Sequence, residues 1–581
     1  MTNVRTSWLA AVFASFLVVG CGGPTNSDAG DATDARGDTV GGGDVQLPPD
    51  NVTVDVPVTD VPVTDVPVAD VPVTDVPVTD VPRMDVPVTD VPVTDVPVTD
   101  APVTDVPVTD VPVVDVPMTD VPVTLETYVA QLSGAEEVPV VSTASSGTVN
   151  FTYNPTTRAL TWMITHTVTT PTGAHIHTAG AGENGGVTVT LTMATGSSGM
   201  ATLTVAQETD LRLGHFYVNV HTAVNPGGEV RGQVLRPGES LYVATLTGSQ
   251  EVPANRSAAT GVASVIVNAA RTSWHFRANT SLTPTAAHIH SAIAGVNGGV
   301  LYSLGTAGML MEGNQAITAA DFTALDNTAL YVNAHTAAFP GGEIRGQLLR
   351  AGSELFVANL TGAQENPPVT TSLTGNSSVA LDYRSSNVRY ALVTTATATA
   401  VHIHRAIGGI NGAVVLPYAG TTSPLFGMGV LPAGEVDALR IAQLYVNVHT
   451  AANPGGELRG QLIRPGEQLF VAIMSGANEV PPVTTTAGGA TQMVLNAAGT
   501  SLAYQSVITM LAAATASHIH NAPAGTNGAV VYALTLVGVA PTGTQAITAT
   551  EEMNLAMSRY YVNIHTTTNP GGELRGQLVQ R

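Results

Sequence analysis

The chain has 581 residues, a formal net charge of −23 and a single cysteine. All 21 basic residues are arginine, against 44 acidic residues, and this acidic balance argues against binding to nucleic acid or electrostatic docking on anionic lipid. One cysteine excludes disulfides within the chain and metal sites built from thiolates.

Residues 1–21 have the pattern of a bacterial lipoprotein signal peptide. Arg5 supplies a short positive region, and the apolar segment from Trp8 to Val19 is too short to span a membrane. A small residue then precedes Cys21, so we predict cleavage there and a lipidated N-terminus that anchors the protein to a membrane. An uncleaved anchor and an ordinary secretory signal are the alternatives. Two glycines and no aspartate follow the cysteine, which favours the outer membrane or cell surface of a bacterial envelope.

Residues 22–124 form a low-complexity segment of Val-Pro-Val-Thr-Asp repeats, with an aspartate at every fifth position from Asp55 to Asp120. The segment has 20 aspartates against two arginines. Charge repulsion and frequent proline together predict a disordered, extended stalk. A repeat expansion with no role beyond its length is the alternative.

The rest of the chain repeats one pattern four times. A His-Ile-His segment is followed 46 or 47 residues later by a Tyr-Val-Asn-x-His segment, and successive copies are 113, 114 and 116 residues apart. The predicted domains are residues 125–237, 238–351, 352–465 and 466–581. Junctions of only a few residues, such as Arg236-Pro-Gly238, predict a rod of four closely spaced domains with motion between them.

Each unit is rich in Val and Thr and is punctuated by Gly, Pro and Asn, which predicts seven or eight short strands. We therefore expect an all-β fold of four tandem Greek-key β-sandwich domains. A short helical turn is predicted before the final hairpin, at residues 319–325 of the second unit. Asn184-Gly185 predicts a tight hairpin turn. Strands are predicted in the first unit at residues 128–132, 147–153, 159–168, 187–192 and 200–205.

A final hairpin closes each unit. Pro226-Gly227 suits the central positions of a type II turn, with a positive φ at the glycine. Before this turn, Val218 and Val220 alternate with Tyr, Asn and His221, so the histidine lies on the face opposite the core. Both rings of His-Ile-His also share one face.

These segments resemble the CHRD domain, a family named for chordin, an extracellular antagonist of bone morphogenetic proteins. The resemblance is carried by Gly228-Glu-Val-Arg-Gly-Gln233, Ala174-His-Ile-His177 and Glu137-Val-Pro139, and it recurs in all four units from about residue 125 to 581. It implies an immunoglobulin-like β-barrel with limited similarity to Cu/Zn superoxide dismutases. It implies no settled activity, although the family has many bacterial members.

Three histidines per unit suggest a metal site. Two imidazoles from one strand and a third from another can hold one Zn²⁺ or Cu²⁺ ion. A polar sheet face whose rings bond to backbone or water is the alternative, so no cofactor is certain from the sequence. The candidate ligands are His175, His177, His221, His288, His290, His335, His402, His404, His449, His518, His520 and His565.

Catalysis is not expected. Copper dismutases use four imidazoles, whereas the third and fourth units have three histidines each. No nucleophile elbow, phosphate loop or paired-carboxylate pattern stands out from the repeats.

Each unit also repeats two glutamates and one arginine, which predicts a structural ion pair because an arginine fork holds carboxylates well. Recognition of a carboxylate or sugar ligand by Arg231 is the alternative. The predicted residues are Glu137, Glu229, Arg231, Glu251, Glu343, Arg345, Glu365, Glu457, Arg459, Glu479, Glu573 and Arg575.

Taken together, these features predict a non-catalytic binding or structural lipoprotein of the cell envelope that recognises an unidentified protein or glycan. The second hypothesis is a Zn- or Cu-binding envelope protein with one three-histidine site per repeat, related to redox chemistry.

Overall fold

The computed structural model describes residues 123–305 and 308–581. The predicted signal peptide with Cys21, and all but the last two residues of the predicted stalk, lie outside the described residues. Within the described part of the chain, no helix is long and apolar enough to cross a membrane.

The first two domains each contain eight principal strands, one short α-helix and one turn of 3₁₀-helix (η). The elements of domain 1 are β1 (Glu126–Ser133), η1 (Gly134–Glu136), β2 (Ser146–Asn154), β3 (Ala159–His166), β4 (Pro171–Thr178), β5 (Gly186–Thr190), β6 (Ser197–Thr202), α1 (Val205–Leu213), β7 (Phe216–Thr222) and β8 (Val230–Gln233). Those of domain 2 are β9 (Ser240–Thr247), η2 (Gly248–Gln250), β10 (Thr260–Val267), β11 (Ser273–Thr280), β12 (Ala286–Ser291), β13 (Gly299–Gly305), β14 (Leu310–Ala316), α2 (Ala319–Asp326), β15 (Leu330–His335), β16 (Ile344–Gln347) and the short β17 (Leu349–Arg350).

The last two domains repeat this order. The elements of domain 3 are β18 (Ser353–Thr361), η3 (Gly362–Gln364), β19 (Thr374–Asp382), β20 (Asn387–Thr394), β21 (Ala398–Arg405), β22 (Ala413–Pro417), β23 (Leu425–Val430), α3 (Glu435–Arg440), β24 (Leu444–Thr450) and β25 (Leu458–Gln461). Those of domain 4 are β26 (Gln468–Ser475), η4 (Gly476–Asn478), β27 (Gly488–Leu495), β28 (Ser501–Thr509), β29 (Ala516–Asn521), β30 (Ala529–Ala533), β31 (Leu536–Val537), β32 (Ala540–Ala546), α4 (Ala549–Ala556), β33 (Tyr560–His565), β34 (Leu574–Gln577) and β35 (Val579–Gln580).

The strands of each domain form one antiparallel sheet. In domain 1 the order is β5-β4-β7-β8-β1-β2-β3-β6, and the other three domains repeat it. Only one residue pair, Ser133 with Arg231, joins β1 to β8. The sheet folds over at this point, so that two four-stranded halves pack face to face. This arrangement confirms the predicted all-β sandwich.

The core of each domain is built from alternating residues of both halves. In domain 1, Phe151 and Trp162 from one half meet Ile176, Val218 and Val220 from the other. Separate clusters of the same kind fill the other three domains. Each domain thus buries its own apolar core, which is sufficient at this size without disulfides.

A short helix precedes the seventh principal strand in every domain. In domain 2 it spans Ala319–Asp326, which confirms the predicted helical turn. The side chain of Thr318 accepts a hydrogen bond from the backbone of Asp321, whose carboxylate accepts one from the backbone of Thr318. This capping box explains why so short a segment is helical.

The Pro-Gly-Gly turn differs from the predicted type II turn. Gly228 N–H donates to the Asn225 carbonyl at 3.1 Å, and the positive φ, 142°, belongs to Gly228 and not to Gly227. The same glycine has a positive φ in every domain, at Gly342, Gly456 and Gly572. The reason is packing, because a Cβ at residue 228 would overlap the side chains of Asn219 and Glu137.

Asn184-Gly185 is not the predicted two-residue turn either. Residues 179–185 connect β4 to β5, and Asn184 lies near the end of this loop. Its side chain donates to the carbonyl of Val138 and accepts from Arg231. The residue therefore ties three segments together instead of reversing the chain.

The four domains do not form a rod in which only neighbours touch. Arg384 of domain 3 forms a salt bridge with Glu136 of domain 1. Arg256 of domain 2 lies 2.8 Å from Glu552 of domain 4. Domains one and three, and domains two and four, are thus in contact, which corrects the expectation from the short junctions.

Candidate metal centre

The three repeated histidines of domain 1 come from two neighbouring strands. β4 carries His175 and His177, and it pairs with β7, which carries His221. In this register His221 faces Gly173, a position occupied by alanine in the other domains. A small residue there leaves room for the third ring beside His175.

The three rings converge in every domain. One ligand nitrogen from each ring lies within 4.8 Å of the other two in all four groups. The closest approach is between Nδ1 of His175 and Nε2 of His221, at 3.0 Å, and the equivalent pairs lie 3.0 to 3.1 Å apart. Nitrogens that bind one tetrahedral ion at ~2.1 Å are about 3.4 Å apart. The His175–His221 pair therefore suits one ion with a small expansion, and the third nitrogen lies within 4.8 Å of both.

Backbone carbonyls fix the orientation of two of the rings. His177 Nδ1 donates to the carbonyl of Gly185, and His221 Nδ1 donates to that of Pro226, each at 3.0 Å. A neutral imidazole that donates through Nδ1 has a lone pair at Nε2. Both Nε2 atoms are thus ready to bind a metal, and the carbonyls act as the outer partners typical of metal-bound histidine.

One of these nitrogens has no other partner. Among residues 123–305 and 308–581, Nε2 of His177 is buried and makes no hydrogen bond, and the same is true of its equivalents His290, His404 and His520. A buried acceptor without a partner is unfavourable, so its recurrence in four domains points to a ligand.

Burial favours the neutral form of eight of these twelve histidines. Burial lowers the pKa of His177 and of His221, and the neighbouring His175 acts in the same direction. Burial likewise lowers the pKa of other ligands, namely His288, His290, His402, His404, His518 and His520. Because only neutral imidazole binds metal, the sites favour metal over protons at neutral pH.

A stack of side chains supports the site. The ring of His177 lies parallel to that of Tyr217, with centroids 4.8 Å apart and an interplanar angle of 6°. The guanidinium of Arg231 lies 3.5 Å from the same tyrosine centroid. β4 and β8 flank β7 on opposite sides, so the tyrosine lies between the histidine and the arginine. The stack recurs in the other domains.

The arginine does not form the predicted ion pair. Arg231 is 1% exposed and donates to Asn184 Oδ1 and to the carbonyl of Gly180. Among the described residues, it forms no salt bridge with Glu137 or Glu229, which corrects the prediction. Its equivalents Arg345, Arg459 and Arg575 are equally buried on tyrosine and form no salt bridge within the described ranges.

The two predicted glutamates have other partners. The amide of Asn219 donates to both oxygens of Glu137, at 3.2 and 3.0 Å. Glu251, Glu365 and Glu479 have the same partner in their domains. Glu229 instead accepts from Thr222 and Asn225 of the final turn and from Thr143, which lies between β1 and β2. Glu343, Glu457 and Glu573 occupy the same turn and also accept from hydroxyl side chains.

Burial raises the pKa of Glu137 to about 8, against the opposing effects of Arg231 and Asn219. The equivalents Glu251, Glu365 and Glu479 have pKa values raised to about 7 for the same reason. Each domain thus holds a buried carboxyl group that is partly protonated near neutral pH.

Sequence reasoning missed Tyr217, Asn219 and the carbonyl of Gly185. The hydroxyl of Tyr217 accepts from the Gly185 N–H at 3.1 Å, so it positions the carbonyl that orients His177. Recurrence of this tyrosine and asparagine in every copy was a signal for their importance, but their roles depend on the loop at residues 179–185.

A family model described as the CHRD domain matches residues 128–234, 242–348, 356–462 and 470–578. The matches cover well over half of the chain, which therefore belongs to the CHRD domain family as a protein with four tandem repeats. A comparison with curated proteins finds no match to the chain.

Proposed function

We propose that each of the four domains binds one Zn²⁺ or Cu²⁺ ion through its three histidines, and that the chain is a non-catalytic metal-binding protein. This proposal depends on a buried nitrogen that has no hydrogen-bond partner among the described residues. The nitrogen is Nε2 of His177, and it recurs at His290, His404 and His520. It lies beside a second Nε2, that of His221, whose lone pair is set by a backbone carbonyl.

In the metal-free state a proton bridges His175 and His221 across 3.0 Å. An ion held by Nδ1 of His175 and the Nε2 atoms of His221 and His177 would replace this hydrogen bond, and His175 would keep its proton at Nε2. Imidazole suits both zinc and copper, and three protein ligands leave a fourth position for water. Binding would depend on pH because a protonated imidazole cannot act as a ligand.

Anchorage places these sites on the cell envelope. We propose that Cys21 carries acyl chains and that the segment before residue 125 separates the domains from the membrane. One acyl chain gives only marginal binding, so the usual multiple acylation is implied. The bacterial outer membrane or cell surface remains the proposed location.

Recognition of a protein or glycan without metal is the second candidate. It is favoured by the salt bridges that join domain 1 to domain 3 and domain 2 to domain 4, because they bring surfaces of separate units together. The buried position of Arg231 argues against this arginine as the contact for such a ligand.

Zinc and copper titration of the purified four-domain protein tests the metal proposal. At pH 7.5, His177→Ala should lower the number of ions bound per chain by one. His166→Ala is the matched control, because this histidine lies outside the three-histidine groups and bonds to the carbonyl of Met193. Calorimetry and metal analysis of the dialysed protein give the stoichiometry.

At pH 5.5 binding should weaken strongly, since protons compete for the imidazoles. An unchanged stoichiometry in His177→Ala, or affinities no tighter than roughly millimolar for the parent, would contradict the proposal. The histidines would then be polar side chains of the sheet face.

A further inference from the structure

A fifth group of metal-ligating side chains lies between domains 1 and 2. His215 follows α1 of domain 1, whereas His275 and Glu312 lie on β11 and β14 of domain 2. The Nε2 atoms of the two histidines are 2.9 and 3.0 Å from the same carboxylate oxygen, Oε1 of Glu312. All three ligand atoms lie within 4.8 Å of one another.

The outer nitrogens of both rings face acceptors. Nδ1 of His215 lies 3.3 Å from Oδ1 of Asp210, and Nδ1 of His275 lies 3.2 Å from Oδ1 of Asn314. Nε2 of His275 also forms a hydrogen bond with Oε1 of Glu312 at 3.0 Å, so that ring can place a proton on the carboxylate when no ion is bound. With an ion at Nε2, the ring would carry its proton at Nδ1, facing Asn314.

The geometry at His215 favours an ion over a hydrogen bond. Its Nε2 is buried and makes no hydrogen bond within the part of the chain that the structure describes, although Glu312 Oε1 is only 2.9 Å away. A hydrogen bond needs the N–H to point at the oxygen. An ion at ~2.1 Å from both atoms lies off the line that joins them. A ring nitrogen that does not point directly at the oxygen is therefore expected where the two atoms share a metal ion.

The carboxylate is held in place from its other side. Arg277 lies 2.9 Å from Oε2 of Glu312, and it also lies 3.1 Å from Glu183 of domain 1. The arginine thus orients the carboxylate through Oε2, so that Oε1 faces the two histidines. Such outer contacts are typical of metal sites.

The other two junctions between domains have different residue types at the equivalent positions. At the junction of domains 2 and 3 the equivalents are Ala329, Arg389 and Phe426, and Arg389 pairs with Asp326 at 3.0 Å. At the junction of domains 3 and 4, Gln443 takes the place of His215 and donates to Gln505. Between residues 123 and 581, as far as the structure describes them, the ligand set is confined to the first junction.

We propose that His215, His275 and Glu312 bind a divalent transition metal ion, zinc in the first place, which clamps domain 1 to domain 2. Two imidazoles and one carboxylate form a common zinc ligand set, and the fourth position takes water. The side chains are 11%, 13% and 22% exposed, so an ion can reach them. The site shares no residue with the three-histidine sites and does not depend on them.

The test removes the three-histidine sites first. A full-length chain that carries His177→Ala, His290→Ala, His404→Ala and His520→Ala should still bind one Zn²⁺ per chain. Addition of His275→Ala should abolish this binding, whereas addition of His166→Ala should not. Zinc alone is the probe, measured by calorimetry and by metal analysis after dialysis, with circular dichroism to check folding.

A second readout concerns the clamp itself. Zinc should slow protease cleavage at the first junction, residues 236–238, in the chain with an intact His275, and EDTA should reverse this protection. His275→Ala should remove the effect. If the fourfold variant fails to fold, the single variants His275→Ala and His166→Ala in the parent chain give the answer, since only the first should lose one ion.

The inference is overturned if the folded fourfold variant binds no zinc, or if His275→Ala leaves the stoichiometry of the parent unchanged. A different result would reject the three-histidine sites but support the site between domains. In that case the parent chain binds a single ion, and His275→Ala removes it. A chain that binds four ions regardless of His275 supports the three-histidine sites and rejects the clamp.

Discussion

At the scale of single residues, the polar side chains near the three histidines are each held in place by contact with a neighbouring residue. The Gly185 carbonyl orients His177, and the hydroxyl of Tyr217 positions that glycine. Asn219 holds the carboxyl group of Glu137. Arg231 is buried because it packs on an aromatic face, where its flat guanidinium makes a cation–π contact. The same residue types in another arrangement would give no site.

Glu137 gives a prediction about pH. Its pKa is raised to about 8, mainly by burial, so the folded protein favours the protonated carboxyl group. The resulting contribution to stability is present below the ordinary pKa of about 4.5 and is lost as the pH rises through about 8. Glu137→Gln should therefore reduce the loss of thermal stability between pH 5 and pH 9, as measured by melting curves of the four-domain protein.

Glu229 provides the opposite control in the same domain. Although burial acts to raise its pKa, hydrogen bonds from Thr143, Asn225 and Thr222 lower it overall, so its stabilisation is present above the ordinary pKa and is lost in acid. Glu229→Gln should destabilise the protein at pH 9. Identical pH profiles for the two variants would show that the two carboxyl groups do not differ in this way.

At the scale of the secondary-structure elements, the β7–β8 hairpin connects the three-histidine group to the buried glutamate. Its turn supplies the Pro226 carbonyl for His221 and brings Gly228 against Asn219 and Glu137. The positive φ of Gly228 and the close contact have the same origin, since the turn must pass over the Asn–Glu pair.

Two neighbouring glycines in this turn should respond differently to alanine. Gly228→Ala should cost at least ~1–3 kcal/mol, because alanine is strained at positive φ and its Cβ would overlap two side chains. Gly227→Ala should be nearly neutral, since its φ is not positive and no atom lies within 4 Å of the added Cβ. Thermal denaturation compares the two variants, and equal losses would contradict the assigned turn.

At the scale of the whole molecule, contacts between domains differ more than the domains do. The junctions at domains 2–3 and 3–4 are closed by small apolar clusters, in addition to their polar pairs. The first junction carries the histidine–glutamate group and the Glu183–Arg277 salt bridge. The fold and the three-histidine group are therefore the same in all four repeats, whereas the residues that make contact differ from junction to junction.

Anchorage is also a property of the whole protein. If Cys21 is lipidated, the parent should partition with membranes and into detergent, whereas Cys21→Ser should be released or remain unprocessed. Fractionation of cells that express each form, followed by electrophoresis, measures both effects. A Cys21→Ser protein that fractionates and migrates like the parent would rule out the lipoprotein interpretation.

The sequence alone determined the features that depend on local periodicity. Four repeats, strands of alternating Val and Thr, and three histidines on the non-core face follow from spacing, because successive side chains of a strand point to opposite faces. The capping box at Thr318 is equally local. These parts of the fold and of the site were therefore predictable.

Only the tertiary structure decided which groups meet. The tautomers of His177 and His221 depend on carbonyls in loops, and Arg231 packs on Tyr217 because β7 and β8 are neighbours. His215 meets Glu312 from a position 97 residues away in another domain. Spacing along the chain carries no information about such pairs, since they depend on how sheets fold over and how domains pack.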